Sequence, residues 1–242
     1  MKVEIYTGIA EKNRPIDVHQ DMLSLFLDHY NTNFPGCIIN VYNNSASEKS
    51  LKILKDSGCN VLSFPNYDKY VNEDKYTKIK SEAWKSSNAD WIIVCDIDEL
   101  IQINQEELSK LDGVDVVQFK GYHMIDKDST KDLRQIKHGY PDKLYNKVCL
   151  FRQNIDYIKF NQGCHVAAVP KKCNISKLKY NLYHYNVSTF NEENFIEYIL
   201  KVYLNLNDLK KIRSKYKTSK EANVKLAKAI YKEHCNTAVK LI

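Results

Sequence analysis

Residues 1–95 alternate short apolar runs with amphipathic segments, and this restricts the fold more than any other feature of the sequence. Val3–Thr7, Cys37–Tyr42, Val61–Phe64 and Trp91–Cys95 read as strands. Between them, Asp17–Tyr30 carries Val18, Met22, Leu25, Phe26 and His29 at helical spacing. Ser47–Ser57 carries Leu51, Ile53 and Leu54 ahead of a stop at Gly58, and Asp74–Ser87 is a third helical stretch. The run Trp91-Ile92-Ile93-Val94-Cys95 is apolar at every position, which suits a strand covered on both faces. Such strands joined through helices give an α/β fold, a mostly parallel central sheet flanked by helices and doubly wound.

The pattern changes after residue 113. Val114–Lys120, Lys147–Arg152, His165–Val169 and Leu178–Tyr185 are strand-like, with longer polar connections. The C-terminal part reads as a helical extension. Thr189-Phe190-Asn191-Glu192 fits a capping box, the helix after it carries Phe195, Ile199, Tyr203 and Leu206, and a second helix covers Glu221–Cys235.

A chain of 242 residues buries a sufficient core without disulfides or a structural metal. Its 7 cysteines form no Cys-x-x-Cys pair, so zinc-ribbon and thioredoxin readings lack support. Cys37, Cys95 and Cys149 sit in apolar stretches and read as reduced core residues of a reducing compartment. No apolar run reaches the roughly 20 residues that span a bilayer. Met1–Tyr6 enters a strand-like alternation without a signal-peptide core, so the expectation is a cytoplasmic protein.

Charge is uneven. Residues 1–199 hold 25 Lys and Arg against 27 Asp and Glu, while residues 200–242 hold 11 against 3. The larger part gives no support for a nucleic-acid protein. The basic C-terminal helices suit peripheral contact with an anionic membrane surface. A solvated lysine-rich helix face meets the same pattern, and both readings stand at this point.

The strongest chemical signal is Asp96-Ile97-Asp98-Glu99, three acids in four positions at the end of the apolar strand. On an extended chain Asp96 and Asp98 point to one side, roughly 6.5–7 Å apart at Cα. Paired carboxylates at a buried strand end repel and are costly to desolvate unless a cation is near. Oxygen ligands select a hard cation, Mg²⁺ or Mn²⁺. In open α/β sheets the carboxyl ends of strands are also where ligands bind. The plainer alternative is a solvated acidic turn.

Trp84-Lys85 and the run from Ala89 to Glu99 resemble the Asp-x-Asp region of GT-A fold glycosyltransferases, in particular family-2-like viral and bacterial members with Asp-x-Asp-Glu. Asn146-Lys147 through Phe151-Arg152, Gly163-Cys164-His165 and Tyr183-His184-Tyr185 match further on, in order. The resemblance implies a Rossmann-like glycosyltransferase domain over 1–190, with a nucleotide-sugar half (1–112) and an acceptor half (113–190). Residues 191–242 form the basic helical extension. It implies a hexosyltransferase-like enzyme that moves sugar from a nucleoside-diphosphate sugar, a UDP-sugar, to a glycan or other hydroxyl acceptor. Asp98 would ligate the metal directly, Asp96 would reach it through water or hold the ribose, and His184 would complete the site. A histidine simply packed between two tyrosines is the alternative for His184.

The resemblance also puts Thr7, Gly8, Asn43 and Asn44 where the nucleoside is gripped, although family members often carry an acid at the second strand end. Lys80, with Lys78 nearby, could pair with diphosphate oxygens. His165, after a glycine that permits close backbone approach, could line the acceptor site or act as a base. Asp126, Asp142 and His165 are the candidates for the catalytic base, and inverting and retaining outcomes both remain open. Two further readings compete. Ile93–Asp98 also resembles the nucleophile strand of haloacid-dehalogenase-type phosphohydrolases, although three strands precede it here and Leu100 stands where Thr or Val is usual. The 17 tyrosines are also compatible with a non-catalytic carbohydrate-binding protein.

Overall fold

The structure is a computed structural model that describes residues 1–11, 16–64, 72–128, 130, 132–185, 192–193 and 220–242. The capping box at Thr189–Glu192 and the helix carrying Phe195–Leu206 lie outside the described residues, apart from Glu192 itself. The chain divides into two compact units: Met1–Tyr122 with Asp142–His184, and His123–Pro141 with Tyr185–Ile242.

The first unit is built on the expected parallel sheet. Its strands are β1 (Val3–Ile9), β2 (Ile38–Asn43), β3 (Asn60–Ser63) and β4 (Trp91–Val94). They lie in the order β3-β2-β1-β4 and are all parallel, with Val41 opposite Val61 and Ile5 between Ile39 and Ile93. All four carboxyl ends therefore share one rim. Helices α1 (Ile16–Asn33), α2 (Glu48–Asp56) and α3 (Glu73–Glu82) make the crossovers. Phe26 and Leu54 bury completely, as do Ile5, Trp91, Ile92 and Ile93 on the strands. Ser47 caps α2 by accepting the Ser50 amide, and Gly58, at φ +72°, ends it in a conformation that disfavours side chains.

Antiparallel strands widen this sheet. Strand β8 (Val148–Arg152) pairs with β4, Ile92 opposite Phe151, and β6 (Val116–Ile125) pairs with β8, Val117 opposite Leu150. Strand β5 (Glu99–Gln102) pairs with β11 (Ile175–His184), which sets Glu99 opposite His184. The sequence patterns did not announce β5, because four residues starting on an acid look like the tail of the acidic cluster.

Three expectations are corrected. The helix expected to reach Ser87 ends at Glu82, and Ala83–Ser86 tightens into a 3₁₀ turn. There the Trp84 ring packs edge-on against Phe151 at 5.1 Å while its indole N–H donates to the Ser81 carbonyl. The strand expected at His165–Val169 shrinks to β10 (Ala167–Ala168), paired with β9 (Lys159–Phe160). His165 instead closes a 3₁₀ turn over Gln162–Cys164, in which Cys164 adopts φ +54°. Cys37 is only half-buried, since it precedes β2, whereas Cys95 and Cys149 are core residues.

In the second unit, β7 (His138–Pro141) pairs antiparallel with β12 (Val239–Lys240). The helix expected over Glu221–Cys235 is α4, Lys220–Thr237. The Tyr140 ring stacks on His123 at 5.2 Å and on His234 at 4.2 Å. No helix among the described residues is long and apolar enough to cross a membrane.

Candidate functional site

At the rim, β4 stops at Val94, and the chain makes its last sheet bond from the Cys95 amide to the Tyr6 carbonyl. It then turns instead of running extended: the Glu99 amide donates to the Asp96 carbonyl at 3.0 Å. The sequence expectation of an extended Asp96–Asp98 is thereby corrected. The turn is needed because Glu99 opens β5, whose partner is β11 and not a neighbour of β4. Consequently the two aspartates face different groups.

Asp96 Oδ1 accepts from Lys80 Nζ at 2.6 Å and from the Tyr76 hydroxyl at 2.9 Å. Tyr76 and Lys80 stand four apart on α3, so one helix face presents both donors. The Lys80 ammonium also lies 4.4 Å from the centre of the Tyr76 ring. Burial pushes the Asp96 carboxyl upward, but Lys80 and then Lys147 outweigh it and hold the group well below the usual carboxylate range. Burial likewise pulls Lys80 down, and Asp96 more than reverses this. Lys80, expected to reach for a diphosphate, is occupied by Asp96.

Asp98 turns the other way. Its Oδ2 lies 3.5 Å from His184 Nε2. The β5–β11 register explains the meeting, because it places His184 beside the residue that follows Asp98. The His184 ring stacks on Tyr145 at 3.9 Å, and Tyr145 meets His165 edge-on at 5.4 Å. His165 Nδ1 donates to the Leu144 carbonyl at 3.1 Å, which fixes a proton on Nδ1 and turns Nε2 away from that bond. Tyr145 thus joins the two histidines singled out in the sequence.

Glu99, the third acid, points inward. It is 1% exposed and forms an ion pair with Lys147, itself 3% exposed at the side chain. Its other oxygen accepts the Asp96 amide at 3.1 Å. Sequence patterns missed the parts played by Tyr76, Glu99, Tyr145 and Lys147. Only the i,i+4 pair Tyr76/Lys80 carried a local signal.

The nucleoside candidates line the same rim. Thr7 Oγ1 and Asn44 Oδ1 are buried and lack hydrogen-bond partners among the described residues, an unusual state for polar atoms. Asn43 Oδ1 is engaged by the Ala46 amide at 2.8 Å. At Gly8 a Cβ would come within 2.4 Å of the Tyr76 ring. Gly8→Ala is therefore expected to push Tyr76 off Asp96 and cost about 1–3 kcal/mol in urea unfolding. A loss below about 0.5 kcal/mol, at the level of ordinary surface substitutions, would show that the ring moves freely.

The remaining candidates have structural partners. Asp126 lies in the second unit, 1% exposed, its Oδ1 accepting from the Thr130 amide and hydroxyl at 2.8 and 3.0 Å. Asp142 Oδ1 accepts the Leu144 amide and starts the 3₁₀ turn that carries Tyr145. Lys78 is exposed.

Among the described residues, no three His, Cys, Asp or Glu side chains converge as a metal cage. The Asp98–His184 pair nevertheless fits one cation. Two ligand atoms about 2.1 Å from a shared ion stand about 3 to 3.5 Å apart in octahedral or tetrahedral arrangements.

No protein-family model matches the sequence, and no curated protein matches it. Solved structures do. S. aureus TarS 1–349 in complex with UDP is 12% identical with a TM-score of 0.42, covering 96% of this chain and 70% of that one. This chain spans 43% of the longer TarS structure. The galactosyltransferase LgtC, in complex with donor and acceptor sugar analogues, is 15% identical with a TM-score of 0.32, covering 63% of this chain and 58% of that one. Glucosyl-3-phosphoglycerate synthase from Mycobacterium tuberculosis, in complex with Mn²⁺, UDP and phosphoglyceric acid, is 11% identical with a TM-score of 0.33, covering 63% and 56%.

Proposed function

We propose that this chain is a metal-dependent glycosyltransferase that takes a sugar from a nucleoside-diphosphate sugar, a UDP-sugar, to a hydroxyl of a glycan or similar acceptor. Residues 1–190 are its transfer domain. The observation that supports it best is the pair Asp98–His184, 3.5 Å apart at the carboxyl rim of a parallel sheet. Lys80 is matched to Asp96 and Lys147 to Glu99, whereas Asp98 faces the His184 imidazole.

Asp98 and His184 would hold Mn²⁺ or Mg²⁺, which when bound stabilises the negative charge that develops on the departing diphosphate. The chain's own residues do the rest. Thr7 and Asn44 offer unpaired buried polar atoms to a nucleoside at the ends of β1 and β2. Lys80 and Tyr76 fix the Asp96 carboxylate through Oδ1, and its second oxygen would serve a ribose hydroxyl or help to hold the cation. His165, with Nδ1 tied to Leu144, keeps Nε2 available to accept an acceptor's proton.

A thermal-shift experiment with UDP tests this. UDP with Mn²⁺ should raise Tm by several degrees, whereas UDP alone or Mn²⁺ alone should raise it much less, because binding to the folded state adds RT ln(1 + [L]/Kd). No shift with any nucleoside diphosphate in the presence of Mn²⁺ would remove the proposal.

A further inference from the structure

We infer that Glu99 and Lys147 are positioning residues, a buried ion pair that clamps the Asp96–Glu99 turn and so fixes where the Asp96 and Asp98 carboxylates stand. The use made of that turn rests on the sugar-nucleotide reading, while the clamp rests on geometry alone.

Both backbone groups of Asp96 end on Glu99. The Asp96 carbonyl accepts the Glu99 amide at 3.0 Å, and the Asp96 amide donates to Glu99 Oε2 at 3.1 Å. Glu99 Oε1 is taken by Lys147. The Glu99 carbonyl accepts from the Tyr30 hydroxyl at 2.9 Å, which ties the same residue to α1. Every polar handle of Glu99 is thus engaged within the protein, and an acid so placed is not offered to a substrate.

Lys147 is equally fixed. Its carbonyl accepts the Phe119 amide at 3.0 Å, and it leads directly into β8, whose Leu150 lies opposite Ile93 of β4. The clamp therefore fastens the turn leaving β4 to the strand beside β4. Two residues before Lys147, Tyr145 carries the ring stacked on His184. One short segment sets Glu99 on one side and His184 on the other.

An apolar pair of similar volume is often as stable as a buried ion pair, so stability alone does not account for these charges. Direction does. A carboxylate with one oxygen anchored on Lys147 offers the other along a fixed line, and the Asp96 amide lies on it. Small displacements of such a turn are costly to function, since misplacing a reacting group by about 1 Å lowers rates about 100-fold.

The test is the double variant Glu99→Met/Lys147→Met, which leaves neither a lone buried charge nor a side-chain acceptor for the Asp96 amide. Its stability, the hydrogen exchange of the Asp96 amide and its calorimetric affinity for UDP with Mn²⁺ are compared with wild type. A control, Ile155→Val in the hydrophobic core, supplies a modest stability loss away from the turn. We expect a folded double variant in which the Asp96 amide exchanges at least about tenfold faster and affinity falls about 100-fold. The Ile155→Val control should keep wild-type affinity. If the double variant does not fold, Glu99→Gln/Lys147→Met, which keeps the shape of the acid and also strands no charge, is measured in the same way. Wild-type affinity in a folded variant overturns the positioning role, as does unchanged exchange at Asp96. If wild-type protein binds no UDP with Mn²⁺ while the variant still loses Asp96 protection, the clamp stands and the sugar-nucleotide reading falls.

Discussion

Lys147→Met alone is expected to lower the free energy of unfolding by about 3–5 kcal/mol, a large part of the 5–15 kcal/mol typical of a folded domain. Methionine approximates the length of lysine, so lost packing is a minor part of the effect. What remains is Glu99, 1% exposed, with its charge no longer balanced. It cannot rotate to solvent, because its backbone opens β5 and its second oxygen holds the Asp96 amide. The Asp96 carboxylate across the turn adds to the strain, since Lys147 also helps to keep that group ionised. Adding Glu99→Gln to the same protein should recover much of the loss, because the stranded charge disappears. Urea unfolding of wild type, the single variant and the double variant measures both steps. A single variant within about 1 kcal/mol of wild type would mean that the pair is hydrated, as exposed ion pairs of that worth are.

How much of this was legible in the sequence varies with the range of the interactions involved. Strands β1 to β4 were readable because each is an apolar run set between helices, and α2 was readable at both ends through Ser47 and Gly58. Asp96, Asp98 and His184 stood out by residue type and place. The turn joining the two aspartates did not, since an extended strand end and a tight turn use the same four residues. Its shape depends on β5 pairing with β11, a contact between Glu99 and His184 that no local pattern encodes.

Lys147 and Tyr145 were hidden for the same reason. An Asn-Lys pair before a strand looks like an ordinary entry to that strand, and only the placement of β8 beside β4 makes Lys147 the partner of Glu99. The strand expected over His165–Val169 failed for a local reason. Only Ala167 and Ala168 find partners, and Cys164 at positive φ has already turned the chain.

The largest functional effect is expected at Asp98. It stands in the turn, partly exposed, so Asp98→Ala should leave the fold intact. His184 would remain stacked on Tyr145 but would lose the Asp98 carboxylate. An imidazole alone is a weak anchor for a hard cation, which oxygen ligands hold. The most direct measurement is isothermal calorimetry of UDP binding to wild type and Asp98→Ala, each with and without Mn²⁺. We predict that Mn²⁺ tightens UDP binding to wild type by at least about 100-fold and has no effect on Asp98→Ala. Equal enhancement by Mn²⁺ in both proteins, with Asp98→Ala folded, would contradict the account.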